Sequence, residues 1–232
     1  MSEKFAYLLA GGPSTNTEQL TADFRTALQN CEVSNPRVAY IGAANQEREN
    51  SFLRIKEPLL VAGAGEVILV PVINANPDEA KRILSSSDVV FLSGGEVEDG
   101  MFWLKQSGLD IFLTDLFNSG KLFLGISAGS IMMGQYWVHW DIENDDSTSS
   151  LFECLGFIPR TFDTHMENEN WIEMECALRL LGPDSEGCGL SDGGFYRADS
   201  GGNLEVLRNE PIIFRNTGTE ILRQTGGYSD EG

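Results

Sequence analysis

Histidine and cationic residues are scarce in this chain: 2 His and 16 Lys plus Arg stand against 35 Asp plus Glu among 232 residues, a formal net charge of −19. Clusters of Lys and Arg are what hold phosphate backbones and anionic headgroups, so nucleic acid and the membrane surface are excluded as expected partners. No apolar run approaches the ~18 residues of a membrane span. The short run Phe5–Ala10 passes straight into Gly11-Gly12, without the charged lead-in and small-residue cleavage site of a secretory signal. The four cysteines, Cys31, Cys154, Cys176 and Cys188, are dispersed and form no C-x-x-C pair, which argues against a zinc framework and a disulfide scaffold. A soluble protein of the reducing cytoplasm is expected, with no metal and no organic cofactor. Walker A and G-x-G-x-x-G patterns are missing as well. Any chemistry that uses histidine has two candidates, His139 and His165.

What is present suits a globular enzyme. A hydrophobic fraction of 41 % and a charged fraction of 22 % are near globular averages, and no linker or repeat divides the chain, so one domain over residues 1–232 is expected. Short apolar runs at Phe5–Ala10, Arg37–Ile41, Glu66–Val72, Asp88–Leu92 and Lys121–Ile126 read as buried strands. Helix-forming segments lie between them at Thr17–Asn30, Ser51–Ala62, Pro77–Leu84 and Val97–Asn118. This alternation predicts an α/β fold, a three-layer αβα sandwich around a mostly parallel, flavodoxin-like sheet. After Ser127 the pattern becomes mixed: a polar loop at Glu143–Ser150, a helix at Glu167–Leu181, and short strands within residues 187–223 broken by turns such as Asp192-Gly193-Gly194.

Ligands of such a sheet sit beyond the carboxyl ends of the strands. There, Gly125-Ile126-Ser127-Ala128-Gly129 places a G-x-S-x-G pattern between a strand and a helix, the arrangement of a nucleophile elbow. Ser93-Gly94-Gly95 ends the preceding strand with two residues that let backbone N–H groups approach a developing oxyanion. The hydroxyl-rich Ser14-Thr15-Asn16-Thr17 has two readings, a helix N-cap or a phosphate loop of the kind that holds FMN. A serine needs a base, and the base needs a carboxylate. His165, in Phe162-Asp-Thr-His165 just before a helix, projects over the sheet edge, whereas His139 lies in the aromatic strand Tyr136–Trp140. For the carboxylate, Asp141 and Glu143 follow the elbow helix closely, and the remaining acids are read as solvated surface.

The order Gly-Gly, then Gly-x-Ser-Ala-Gly, then an acid, then Thr-His resembles the dipeptidase E and cyanophycinase family of serine peptidases, over roughly residues 5–195. Leu124-Gly-Ile-Ser-Ala-Gly-Ser130 and Leu151–Pro159 carry the likeness best. The resemblance implies a fold similar to class I glutamine amidotransferases. It also implies Ser127 as nucleophile, His165 as base, Asp141 or Glu143 as the acid, and an oxyanion hole from the N–H groups of Gly95 and Ala128. Gly94 and Glu96 would then touch substrate, a small peptide, and the protein would act alone or as a homodimer. Two departures stand out: Glu96 occupies a polar position of the family's glycine loop, and Thr164 precedes His165 where the dipeptidases have proline. A carboxylate at position 96 would repel an acidic side chain and attract a basic group or an amine. The alternatives to a serine hydrolase are a flavodoxin-like FMN-binding protein and an inactive, amidotransferase-like binding protein. An active amidotransferase is disfavoured, since none of the cysteines stands at the elbow.

Overall fold

The computed structural model describes residues 4–142 and 145–225. In the first half, strands β1 (Phe5–Leu9), β2 (Arg37–Ile41), β3 (Glu66–Val70), β4 (Val89–Leu92) and β5 (Leu122–Ile126) alternate with helices α1 (Thr17–Leu28), α2 (Glu49–Ala62), α3 (Pro77–Ser86), α4 (Val97–Gln106) and α5 (Leu109–Asn118). The short α6 (Ala128–Met132) leads to β6 (Tyr136–Trp140), β7 (Ser149–Glu153), β8 (Thr161–Thr164) and α7 (Ile172–Leu181). The chain then runs through β9 (Glu186–Leu190), β10 (Phe195–Asp199), β11 (Leu204–Arg208), β12 (Ile212–Asn216) and β13 (Ile221–Thr225).

The main sheet has seven strands in the order β11-β10-β1-β5-β4-β2-β3. Strands β1 to β5 are mutually parallel, and β10 closes the sheet antiparallel to β1. Alternate residues of each parallel strand enter opposite layers: Ala6 and Leu8 join one buried cluster, Tyr7 and Leu9 the other. Burial on both faces is why these strands read as continuous apolar runs. A smaller sheet, β13-β12-β9-β8, carries the segment that ends in His165, and β6 and β7 form a separate hairpin.

Three expectations need correction. The segment Val97–Asn118 is two helices, because Gly108 at φ 65° breaks it. The helix expected from Glu167 begins at Ile172, since Asn170 and Trp171 both take left-handed conformations (φ 57° and 58°) that turn the buried Trp171 ring onto Gly189. Of the polar loop Glu143–Ser150, residues 143 and 144 lie outside the described residues, and Ser149 already starts β7. Two acids also leave the surface: Asp23 is 3 % exposed and Asp163 1 % exposed. No helix among the described residues is long and apolar enough to cross a membrane.

Candidate active site

The elbow is set by what its glycines leave out. A Cβ on Gly125 would lie 2.6 Å from the Gly129 carbonyl oxygen, and one on Gly129 would lie 2.1 Å from that of Leu92 in β4. The two glycines of G-x-S-x-G thus pack strand against helix while the serine between them takes φ 51° and ψ −121°. A non-glycine residue there costs on the order of 1–3 kcal/mol unless its surroundings fix it. They do: Ser127 N–H donates to the Leu9 carbonyl at 2.9 Å, and the Ser130 hydroxyl donates to the same oxygen at 2.9 Å.

The Ser127 hydroxyl lies 3.0 Å from His165 Nε2. With the proton on Nδ1, Nε2 accepts from the hydroxyl, as a general base requires. His165 also has a positive φ, 47°, and its N–H donates to the Leu190 carbonyl of β9 at 2.9 Å. Ser127 and His165 therefore both stand on strained backbone, at the ends of strands in two different sheets.

His139 lies elsewhere, with Nδ1 2.7 Å from Glu98 of α4 and Nε2 3.4 Å from Asp141. These carboxylates, Glu98 first, raise its pKa. Asp141, expected to orient His165, is thereby corrected: strand β6 brings it to the other histidine, with 81 % of its side chain exposed. Glu143, the second candidate, lies outside the described residues. The carboxylate that the structure does bring beside His165 is Asp192, in the turn between β9 and β10. A Cβ on Gly12 (φ 97°) would meet Asp192 Oδ1 at 2.3 Å and His165 Cβ at 2.9 Å, so both crowd the same glycine. Asp192 is held by the Ser14 N–H at 3.3 Å, and its own N–H donates to Glu167 at 2.7 Å. Arg208 of β11 pins this turn, donating to the Gly193 carbonyl at 2.8 Å while its guanidinium forks onto buried Asp23. In the sequence Asp192-Gly193-Gly194 had the signature of a turn only. The missed signal was an acid at the carboxyl end of a strand.

Gly94 lies against Ser127: a Cβ on it would stand 3.3 Å from the serine Cβ. Gly95 takes φ 141°, and a Cβ there would collide with the Ala44 carbonyl at 2.1 Å. Glu96 follows at the exposed start of α4, its N–H donating to that carbonyl at 2.8 Å. Ala128 opens α6, where an N–H has no acceptor within its own helix. Gly94 touches the serine, Gly95 follows it in the β4–α4 loop, and Ala128 follows the serine in the chain. At the hydroxyl-rich loop, Asn16 caps α1 by accepting from Gln19 N–H at 2.9 Å. The N-cap reading accounts for that loop, and the Asp192 carboxylate already occupies the Ser14 amide that a phosphate would need.

Burial pushes the Cys154 and Cys188 thiols up to about 12, and those of Cys31 and Cys176 upward too, so none is a nucleophile at neutral pH. A concavity of about 590 Å³ opens at the opposite end of the sheet, between Cys31 and Lys121, remote from the serine–histidine pair. The described residues contain no group of His, Cys, Asp and Glu arranged to hold a metal.

Comparison with known proteins follows the same lines. The pattern of Peptidase family S51 matches residues 7–201. An uncharacterized peptidase, YgaJ, of Bacillus subtilis (strain 168) is 22 % identical over 159 residues, which cover 68 % of this chain and 66 % of that protein, just under two thirds of its length. Among solved structures, a peptidase from an acI-B1 Actinobacterium superposes with a TM-score of 0.62 at 16 % identity, over 97 % of this chain and 96 % of that one. A putative peptidase E protein from Listeria monocytogenes EGD-e does so with a TM-score of 0.59 at 15 % identity, over 97 % and 100 %. At these identities the superpositions speak for the fold.

Proposed function

The chain belongs to Peptidase family S51, and on that footing we propose that it is a serine hydrolase that cleaves an amide bond of a small peptide through an acyl-enzyme. The observation that carries the reading is the 3.0 Å approach of Ser127 Oγ to His165 Nε2 on a strained elbow. Ser127 attacks the scissile carbonyl as its proton passes to Nε2. The tetrahedral oxyanion is met by the N–H groups of Gly95 and Ala128, donors fixed in place before the charge forms. The imidazolium then gives its proton to the leaving amine, and water hydrolyses the ester by the same route in reverse. Asp192 is the carboxylate we assign to the imidazolium, because it and His165 crowd the same glycine. Asp141, engaged with His139, has no part in this step.

Substrate contacts fall to Gly94 and Glu96. Glu96 is exposed beside the oxyanion loop, and none of the described ion pairs occupies it, so it attracts an amine or basic group and repels a carboxylate. The enzyme acts in the cytoplasm on soluble peptides, without a nucleic-acid or membrane partner.

The test is covalent labelling with a fluorophosphonate followed by peptide mapping. Wild-type protein becomes labelled on Ser127 and the folded Ser127→Ala variant does not; labelling elsewhere, or peptide turnover that survives Ser127→Ala, would overturn the reading.

A further inference from the structure

His165 is presented by a strand end whose anchoring is unusual. The four residues of β8 are all buried, and β8 is the edge strand of its sheet, paired in parallel with β9 only. His165 N–H turns toward β9 to reach Leu190. Strand alternation then aims the N–H of Thr164 the other way, off the sheet edge, where a buried donor without an acceptor would cost about 1–3 kcal/mol. Its acceptor is the side chain of the residue before it: Asp163 Oδ1, at 2.7 Å. Asp163 itself is 1 % exposed and sits opposite Gly189, on the face that Trp171 covers.

A carboxylate would be badly placed there. Burial raises the Asp163 pKa well above the usual carboxylate range, and the charges of Glu173 in α7 and Glu167 after β8 push the same way. The amides of Thr164 and Met174 pull against them without prevailing. From β9 the facing residue is Gly189, which brings no side chain to Asp163. Its Oδ1 accepts from the Thr164 amide whether or not the carboxyl carries a proton.

We propose that Asp163 is a positioning residue for His165: its side-chain oxygen holds the Thr164 amide, fixes the left-handed turn at His165, and so keeps the imidazole at the Ser127 hydroxyl. This rests on the hydrolase reading of the Ser127–His165 pair. Ionisation of Asp163 puts a charge into a buried site beside two acidic neighbours. The side chain then turns toward water, Thr164 loses its acceptor, and the histidine loses its fixed distance to the serine. Activity therefore falls on the alkaline side with the titration of Asp163.

The experiment measures the rate of fluorophosphonate labelling of Ser127 against pH, alongside carbon NMR of protein labelled at the aspartate carboxyls. In the wild type one aspartate carboxyl stays protonated at neutral pH, and the labelling rate falls as that carboxyl ionises. Asp163→Asn keeps a neutral acceptor, so it labels within about threefold of wild type at neutral pH and lacks this alkaline fall. Asp163→Ala removes the acceptor and slows labelling about a hundredfold, the scale expected for a nucleophile–base pair displaced by about 1 Å. Two results overturn the proposal: an alkaline fall that persists unchanged in Asp163→Asn, or a wild-type spectrum in which every aspartate is ionised at neutral pH. The second needs no variant to fold. If wild-type Ser127 never labels, the hydrolase reading fails by itself; the NMR titration, with the His165 ring shift followed in parallel, still decides whether the Asp163 proton and the His165 position are linked.

Discussion

The two histidines of this chain occupy opposite situations. His139 is half-buried on a hairpin strand with a carboxylate at each ring nitrogen, Glu98 at 2.7 Å and Asp141 at 3.4 Å. His165 is half-buried at the end of β8 with a serine hydroxyl at 3.0 Å. By the simple criterion of an acid beside an imidazole, His139 has the better claim to be catalytic, yet it faces no nucleophile and no oxyanion donors. Acid–histidine contact is cheap on a surface carrying 35 acids. What separates the two is the strained backbone on both sides of the serine–histidine contact, which is maintained only where surrounding structure over-determines it.

The largest expected effect that could break this contrast comes from exchanging the roles of the histidines. His165→Gln should reduce peptide turnover by about three to four orders of magnitude, whereas His139→Gln should stay within about twofold. Equal losses would show that the two are one functional unit. A smaller effect separates the two aspartates: Asp192→Asn should cost about 10- to 100-fold in kcat through loss of the charge facing the imidazolium, and Asp141→Asn almost nothing. Kinetics of the two variants on one peptide substrate decide this. Gly12→Ala tests the same corner from the other side. Its methyl group would lie 2.3 Å from Asp192 Oδ1 and 2.9 Å from His165 Cβ, at a backbone angle that favours glycine, so kcat should fall while the rate of Asp141→Asn stays normal.

The smallest effect concerns stability. Glu98, and then Asp141, raise the pKa of His139 above its unfolded value of 6.5. The protonated histidine is the form the fold favours, so its contribution is complete below the unfolded pKa and disappears as pH rises through the folded one. Thermal melts of wild type and His139→Gln should therefore differ at about pH 5.5, with wild type the more stable, and converge at about pH 9. The exposure of the pair keeps the difference small. A gap that widens with pH would contradict the assigned pairing.

Much of this was legible in the residues. Strands β1 to β5 could be read because burial on both faces leaves an unbroken apolar run, and Ser127 because two glycines at fixed spacing are required wherever a helix packs this tightly onto a parallel sheet. His165 followed from scarcity of alternatives. The partner of Asp141 was hidden for the opposite reason. Proximity in sequence to the elbow brought Asp141 forward with Glu143, but β6 sets Asp141 against His139 beside α4, while Asp192 reaches the His165 corner from the turn between β9 and β10. A contact between residues so distant in the chain leaves no local pattern, and among so many acids composition offers no help. The burial of Asp163 was equally hidden, since a polar residue inside a four-residue edge strand looks like half of an ordinary alternation.

Arg208 adds a consequence for where the working unit ends. The family pattern stops at residue 201, yet the guanidinium that ties the Asp192–Gly193 turn to α1 lies seven residues farther on. A chain cut after Gly201 would retain serine, histidine and both oxyanion donors while losing the brace behind the acid. The serine–histidine pair and the residue that braces the turn beside it do not share a boundary: Arg208, on the edge strand β11, lies beyond the matched span.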